Sequence, residues 1–300
     1  MTKHETRNPE PETPRLGVGV WCELFKARLT ALVMLTTLVG FHAGQRGAMD
    51  WLLFVHAMLG TGLLACGAAA LNQFLEREHD ARMPRTEDRP LPAGRLEPST
   101  VLLLGAGVAA AGMIELALAV NLITSLFGAL TLGSYLFIYT PLKRVTSLNT
   151  AIGAVPGALP PLMGWTAARG EVNLEGWALF AILFFWQLPH FLAIAWLYRD
   201  QYARAGYIML PVVDPAGQRT GRQAVSHTLG LLPVSLSPFV LKLAGVLYLA
   251  GAVVLGALFL TCAWQFSRRL TDGSARRLFL MSIAYLPLLL GLLAFDKVKQ

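Results

Sequence analysis

Three oxygen-bearing side chains recur every four residues at the end of a long apolar stretch: Asn72, Glu76 and Asp80. If this segment is α-helical, the three side chains turn by only about 40° per step and share one helix face. Glu78 would point to roughly the opposite side. An amide and two carboxylates are hard oxygen ligands, of the kind that hold Mg²⁺ when a substrate phosphate completes the coordination. The spacing therefore predicts a magnesium and diphosphate site.

Arginines follow this stripe at Arg82, Arg85 and Arg89. Guanidinium groups match the geometry of phosphate oxygens, so we expect these arginines to bind the outer oxygens of a diphosphate. The alternative interpretation is a solvated basic loop at a membrane surface. The helical spacing of the acids, at the end of an apolar helix, favours a functional site.

The composition is that of a membrane protein, because 55% of the 300 residues are hydrophobic and only 14% are charged. The chain is expected to be all-α, with a disordered cytoplasmic tail at residues 1–22 and a single transmembrane domain at residues 23–300. The sequence predicts a polytopic bundle of nine transmembrane helices, at residues 24–43, 51–72, 100–120, 122–140, 151–168, 176–197, 225–240, 243–265 and 278–295.

The basic residues predict the orientation, since Lys and Arg in short loops favour the cytoplasm. With the N-terminus in the cytoplasm and the C-terminus outside, 20 of the 25 basic residues fall inside. The five outside are Arg46, Arg169, Lys242, Lys297 and Lys299. The net charge of +7 follows mostly from this bias, so no nucleic-acid partner is expected.

Other charged residues lie at span ends on the same predicted side. Lys26 and Arg28 open the first span and are either membrane anchors or diphosphate ligands. Lys143 and Arg144 also either bind diphosphate or only contribute to the inside bias. Asp200 belongs to a second acidic element, and two such elements could hold metals on opposite sides of one diphosphate.

Prolines fall within four predicted spans, and those of the fifth and sixth spans concern the site. The fifth contains Pro156, Pro160 and Pro161, and irregular backbone at membrane depth is tolerated mainly where it is buried or lines a cavity. We therefore expect this helix to form a pocket wall. Pro189 and His190 interrupt the sixth span, where a neutral imidazole could ligate iron or take up a proton. The alternative is a histidine that is hydrogen-bonded within the bundle.

Three stretches resemble the intramembrane aromatic prenyltransferases, the UbiA-type family. They are the Asn72 to Pro90 block, the Tyr139 to Trp165 stretch and the Trp186 to Val213 stretch. The resemblance covers about residues 23–215. The motifs that indicate the haem-modifying branch, and not the quinone or chlorophyll branches, are Arg85-Thr86, Arg89-Pro90, Trp186-Gln187-x-Pro189-His190 and Gly206-x-x-Met209-Leu210-Pro211-Val212.

The resemblance implies transfer of the farnesyl group of farnesyl diphosphate to the 2-vinyl group of haem B. Water adds to the resulting cation, which gives haem O and diphosphate, with Mg²⁺ as cofactor. It further implies a bacterial cytoplasmic (inner) membrane, with haem A synthase or oxidase assembly factors as partners beside the lipid bilayer. The alternatives are a prenyltransferase for a quinone precursor and a haem carrier or transporter that consumes no farnesyl diphosphate.

The resemblance also assigns roles by position. Asp200 is expected to replace the acid that the family usually has where this chain has Gln201. Phe74, Phe185 and Phe191 are further candidates for an aromatic lining. The expected site comprises Asn72, Glu76, Asp80 and Asp200 as catalytic magnesium ligands, Lys26, Arg28, Arg85, Arg89, Lys143 and Arg144 on the diphosphate, His190 on the haem, and Tyr139, Trp186 and Tyr202 along the substrate pocket.

Overall fold

The computed structural model describes residues 17–298, so most of the predicted tail lies outside the described residues. The last predicted tail residues belong to a short helix, α1 (Val18–Leu24). Val20 and Leu24 are buried and pack in one cluster with Ala70. Residues 18–22 are therefore not part of a disordered tail, because burial of these two side chains fixes the helix against the bundle.

The remainder of the described chain is helical, apart from its loops and one isolated bridge between Ala244 and Lys297. Two short helices, α8 (Arg199–Arg204) and α9 (Leu210–Val213), lie between longer ones. The longer helices are α2 (Ala27–Gly44), α3 (Trp51–Asp80), α4 (Pro98–Val120), α5 (Leu122–Leu142), α6 (Asn149–Arg169), α7 (Leu174–Leu197), α10 (Gln218–Val240), α11 (Val246–Arg269) and α12 (Asp272–Phe295).

Within residues 17–298, seven helices are long and apolar enough to cross a membrane: α2, α3, α4, α5, α7, α11 and α12. The all-α prediction is confirmed. The count of nine spans is not, because the two other long helices, α6 and α10, do not reach the same hydropathy. Three prolines lower the mean hydropathy of α6, and α10 has Arg219 and Arg222 in its first turns.

The prolines within α6 and α7 do not interrupt these helices. Helix α7 continues through Pro189 to Leu197, so the predicted interruption of the sixth span is wrong. Helix α6 likewise continues through Pro156, Pro160 and Pro161. It is also the most enclosed of these helices, with residues such as Leu159 and Trp165 buried. The backbone carbonyls that these prolines leave without an N–H donor therefore lie inside the bundle, away from lipid.

Small residues bring helix backbones into contact. A Cβ at Gly164 of α6 would lie 2.0 Å from the carbonyl oxygen of Thr37 in α2. A Cβ at Gly67 of α3 would lie 2.6 Å from the amide nitrogen of Ala109 in α4. Such contacts are the usual basis of helix association in membranes, where lipid is as apolar as the side chains. They fix α2 against α6 and α3 against α4.

Large apolar side chains face outward along the helices. Leu103, Leu118 and Phe137 are each more than 70% exposed. Water would not tolerate so many exposed apolar groups, whereas lipid does. Together with the seven apolar helices, this surface shows that the chain is an integral membrane protein.

Short connections make successive helices alternate in direction. The start of α2 and the ends of α3, α5 and α7 therefore meet on one face of the bundle, which we call the site face. Two longer connections also lie there, at residues 81–97 and 198–217. The fold thus places the predicted acidic stripe and the predicted basic residues at one end of the bundle.

Candidate active site

The acidic stripe forms the last turns of α3, which continues two turns past the predicted end of its span at residue 72. Asn72, Glu76 and Asp80 are all buried, each less than 7% exposed. Glu78 is exposed, as the helical spacing predicts. Buried carboxylates are costly unless they are paired, so the stripe requires partners.

Each member of the stripe is bonded to a cation from a different segment. Lys26 Nζ donates to Asn72 Oδ1 at 2.6 Å, Lys143 Nζ donates to Glu76 Oε1 at 2.7 Å, and Arg89 Nη1 donates to Asp80 Oδ2 at 2.6 Å. These cations come from the α1–α2 corner, the residue after α5 and the 81–97 loop. Three chain segments therefore converge on α3 through charge-assisted hydrogen bonds.

Local backbone structure directs these cations inward. Lys26 precedes α2 in a left-handed conformation, with φ 47°, which lysine rarely adopts. This corner turns the chain so that the amine enters the bundle. The loop that carries Arg89 is tied to α3, because the Thr86 hydroxyl donates to the carbonyl oxygen of Asp80 at 2.8 Å.

The two lysines differ in their protonation. Burial, together with the nearby charge of Arg89, lowers the pKa of the Lys26 amine to about 7. Burial also disfavours the charged form of Lys143, but the adjacent Glu76 carboxylate outweighs it and holds the pKa of Lys143 well above its usual value. Lys26 is therefore the cation of the site whose charge changes near neutral pH.

A cavity of about 440 Å³ lies beneath the stripe. Its upper part is polar, and its deeper wall is formed by apolar side chains such as Leu64, Met163 and Leu286. Helix α6 contributes Pro156, Gly157 and Pro160 among others, so its prediction as a pocket wall is confirmed. The cavity thus joins a charged mouth to an apolar interior.

Most predicted site residues line this one cavity: Lys26, Asn72, Glu76, Asp80, Arg85, Arg89, Tyr139, Lys143, Trp186, His190 and Tyr202. The aromatic candidate Phe191 also lines it, whereas Phe74 and Phe185 do not. Residues far apart in the sequence are therefore brought to a common wall.

Three predicted site residues lie elsewhere. Asp200, Arg28 and Arg144 are exposed and do not line the cavity. Arg28 and Arg144 lie two residues and one residue beyond lysines that point inward, so the helical rotation carries them to another side. Asp200 lies in the first turn of the separate short helix α8, so the inward face of α7 does not extend to it. The structure thus places Asp200 away from the metal ligands predicted on α3.

The two site-face loops meet over the cavity through Arg85. Its Nη2 donates to the Tyr202 hydroxyl at 3.3 Å, and its guanidinium lies 5.0 Å from the ring centroid of Tyr198. Nearby, Met83 is almost fully buried in a cluster that includes Tyr207 and Met209. These contacts hold the two loops together over the charged mouth.

Two residues of the site, Tyr135 and Thr140, were not among those predicted from the sequence. Tyr135 stacks on Tyr139, with ring centroids 5.9 Å apart, in a π-helical turn of α5. The four-residue spacing of Tyr135, Tyr139 and Lys143 was a usable signal, because it repeats the pattern of the acidic stripe. Thr140, whose hydroxyl accepts from Asn72 Nδ2 at 3.1 Å, carried no such signal.

The donor set does not form a complete metal site from protein acids alone. Within residues 17–298 there is no group of three or more His, Cys, Asp or Glu side chains placed to hold a metal ion. Glu76 and Asp80 supply carboxylates and Asn72 supplies an amide oxygen, all of which are hard ligands. These residues fit a cation such as Mg²⁺ only where a bound ligand contributes further oxygens.

The sequence matches the UbiA prenyltransferase family over residues 33–286. It is 48% identical over 286 residues to a protein from Solibacter usitatus named protoheme IX farnesyltransferase, with 92% of this chain and 98% of that protein covered. The human mitochondrial protoheme IX farnesyltransferase is 40% identical over 293 residues, which cover 97% of this chain and 66% of that protein.

The fold is shared with solved structures. Digeranylgeranylglyceryl phosphate synthase superposes with a TM-score of 0.79 at 15% identity, covering 93% of this chain and 98% of that one. A UbiA homologue from Archaeoglobus fulgidus, bound to GPP and Mg²⁺, gives a TM-score of 0.66 at 14% identity, covering 91% and 99%. With residues 33–286 matched and relatives aligned over nearly the whole chain, this protein belongs to the UbiA prenyltransferase family.

Proposed function

We propose that this chain transfers the farnesyl group of farnesyl diphosphate to the 2-vinyl group of haem B, with addition of water, and so forms haem O and diphosphate. The observation that carries the proposal is the single cavity that joins the cation-paired stripe of α3 to His190 on α7. The relatives named protoheme IX farnesyltransferase, at 40–48% identity, support the choice of substrates.

The charges at the cavity mouth suit a diphosphate. Lys26, Arg85, Arg89 and Lys143 line it together with only two carboxylates, Glu76 and Asp80. With Lys26 protonated, the mouth therefore carries an excess of positive charge before any ligand binds. A diphosphate would accept hydrogen bonds from the cations that now bond to the stripe, and this exchange would free the carboxylates.

We infer that the freed oxygens of Asn72, Glu76 and Asp80 would hold Mg²⁺ together with the diphosphate. Bound there, Mg²⁺ would supply charge neutralisation for the departing diphosphate. Asp200 is not included among these ligands, because it is exposed and does not line the cavity.

The protein favours loss of diphosphate by electrostatics. When the bond between farnesyl C1 and oxygen breaks, negative charge grows on the leaving group beside Lys143 and Arg89. The allylic cation left behind lies under the rings of Tyr135 and Tyr139, whose faces favour positive charge. Arg85 and the capping loops limit the entry of water to the charged mouth.

The acceptor completes the reaction in two steps, formation of a carbon–carbon bond and then addition of water. The terminal carbon of the 2-vinyl group forms a bond to farnesyl C1, which moves the positive charge to the carbon beside the porphyrin. Water then adds its oxygen to that carbon and releases a proton. We place the haem at His190, which lines the same cavity deeper in the bundle. The aromatic pocket residue Trp186 stacks on its ring at 5.1 Å.

The membrane arrangement forms part of the proposal. Helices α6 and α10 are long enough to span and are packed among spanning helices, which supports nine transmembrane helices. The basic bias places the site face in the cytoplasm and the C-terminus outside, in a bacterial inner membrane. A haem A synthase or an oxidase assembly factor would receive the product.

Product analysis by mass spectrometry tests the proposal. Purified protein in detergent is incubated with haem B, farnesyl diphosphate and Mg²⁺, and chelated metal serves as the control. The expected product is a haem whose mass is raised by one farnesyl group and one hydroxyl group. Unmodified haem that stays bound without consumption of farnesyl diphosphate would indicate a carrier. Consumption with unmodified haem would indicate another acceptor, such as a quinone precursor.

A further inference from the structure

Helix α12, which carried no predicted site residue, provides the immediate surroundings of His190. The imidazole ring lies between two aromatic rings, at 5.1 Å from Trp186 on its own helix and 5.2 Å from Phe279 on α12. Both pairs are stacked, with interplanar angles of 21° and 29°. The ring is therefore held in one plane, and only its edge remains available for polar contacts.

Ser282 of α12 occupies part of that edge. The His190 Nδ1 atom lies 2.7 Å from Ser282 Oγ, and Ser282 Oγ lies 2.6 Å from the carbonyl oxygen of Phe279. The carbonyl oxygen of Ser282 in turn accepts from Trp186 Nε1 at 2.8 Å. One fully buried serine thus contacts both the histidine and its stacking partner.

The hydrogen atoms in this series of hydrogen bonds can be assigned by counting donors and acceptors. Two oxygens 2.6 Å apart repel unless a hydrogen lies between them, and a carbonyl has none to give. The single hydroxyl hydrogen of Ser282 must therefore point to Phe279. The contact between Nδ1 and Oγ then requires the hydrogen of the imidazole, so His190 carries its proton on Nδ1 and its lone pair on Nε2.

We propose that Ser282 is a positioning residue that fixes His190 as the Nδ1–H tautomer, so that Nε2 offers its lone pair to the haem iron in the cavity. This inference rests on the proposed function for the identity of the ligand. Histidine ligands of metals commonly donate their second ring hydrogen to a neighbouring acceptor, which fixes both tautomer and ring orientation. Ser282 has this role in the present geometry, and Phe279 and Trp186 hold the ring plane.

The test is a spectroscopic titration of ferric haem B into detergent-solubilised protein. Loss of an outer partner of a metal ligand typically weakens metal binding by about 10- to 100-fold. Ser282→Ala should therefore raise the haem Kd at least tenfold and move the Soret maximum toward that of His190→Ala. The double variant should bind no more weakly than His190→Ala alone, because Ser282 acts through the histidine.

Ser235→Ala is the matched control. Ser235 is also a buried serine with a short hydrogen bond of 2.7 Å, but its partner is the Tyr285 hydroxyl, whereas the partner of Ser282 is His190. Its haem Kd and Soret maximum should equal those of the unchanged protein. A Ser282→Ala variant that keeps the original Kd and spectrum, while His190→Ala loses them, would overturn the role of Ser282 and leave the proposed function intact.

Nuclear magnetic resonance of ¹⁵N-histidine-labelled protein without haem gives an independent readout. The His190 signals should show a protonated Nδ1 and an unprotonated Nε2, and Ser282→Ala should populate both tautomers. The opposite tautomer in the unchanged protein would refute the inference. This result does not depend on haem, so it separates failure of the tautomer assignment from failure of the proposed function, which only product analysis decides.

Discussion

Replacing Glu76 by glutamine removes one charge from the centre of the stripe while keeping the size of the side chain. Glu76 accepts from Lys143 at 2.7 Å, and the two side chains are 8% and 17% exposed. At this distance and an effective dielectric constant of about 20, the attraction between the charges is about 6 kcal/mol before desolvation is subtracted. Glutamine still accepts a hydrogen bond from Lys143, so the fold should be retained.

The expected result is a severe loss of turnover. Removing one preorganised electrostatic group from an active site costs about 2.7–4 kcal/mol of transition-state stabilisation, which corresponds to roughly 10²- to 10³-fold in kcat. We therefore expect Glu76→Gln to lower kcat for formation of the farnesylated haem by about that factor, and to raise the Mg²⁺ concentration needed for half-maximal activity. The assay is product quantification by mass spectrometry across a magnesium titration.

Glu78→Gln is the matched control, because it removes the same charge two residues away on the exposed side of the same helix. Its kcat and magnesium requirement should stay within about threefold of the unchanged protein, since surface charges contribute little. The reasoning would be refuted if Glu76→Gln kept nearly full activity, or if the two substitutions reduced activity equally.

Three further predictions concern the rest of the site and the bundle. The pKa of Lys26 is lowered to about 7, so its positive charge is lost as pH rises through neutrality. In a steady-state assay, KM for farnesyl diphosphate should therefore rise about tenfold between pH 6 and pH 8. Lys26→Met should abolish this change. Asp200→Asn should leave kcat within about threefold, whereas Asp80→Asn should lower it about 100-fold, because only Asp80 lines the cavity. Gly164→Ala should lower the free energy of unfolding by about 1–3 kcal/mol, because its Cβ would lie 2.0 Å from the α2 backbone. Denaturant titration in detergent measures this change. Gly133→Ala, where no atom lies within 4 Å of the added Cβ, should leave the free energy of unfolding unchanged.

The sequence predicts best what depends on neighbouring positions along one helix. Asn72, Glu76 and Asp80 share a face because the helix repeats every 3.6 residues, and the same rule places Glu78 outside. The limits of some apolar spans are likewise close to the helix ends, for example 176–197 beside Leu174–Leu197, whereas α3 continues beyond the predicted end of its span. Both results need only local geometry and hydropathy.

Predictions that depend on the tertiary packing of the chain were less accurate. Asp200 has the residue type of a metal ligand, but a break after α7 starts a separate helix that leaves it exposed. Ser282 lies 92 residues from His190 on another helix, so no spacing in the sequence connects them. The tail boundary was misplaced because the burial of Val20 against the bundle is a tertiary contact that a short helix does not reveal from sequence alone.

The central claim is that one cavity binds a prenyl diphosphate at the α3 stripe and haem at His190. Equilibrium binding of a non-hydrolysable farnesyl thiodiphosphate analogue with Mg²⁺, and separately of ferric haem B, tests it in three proteins. Relative to the unchanged protein, Glu76→Gln should weaken only the binding of the analogue, and His190→Ala should weaken only the binding of haem. The claim would be contradicted if both substitutions weakened the same ligand, or if neither altered the binding of either one.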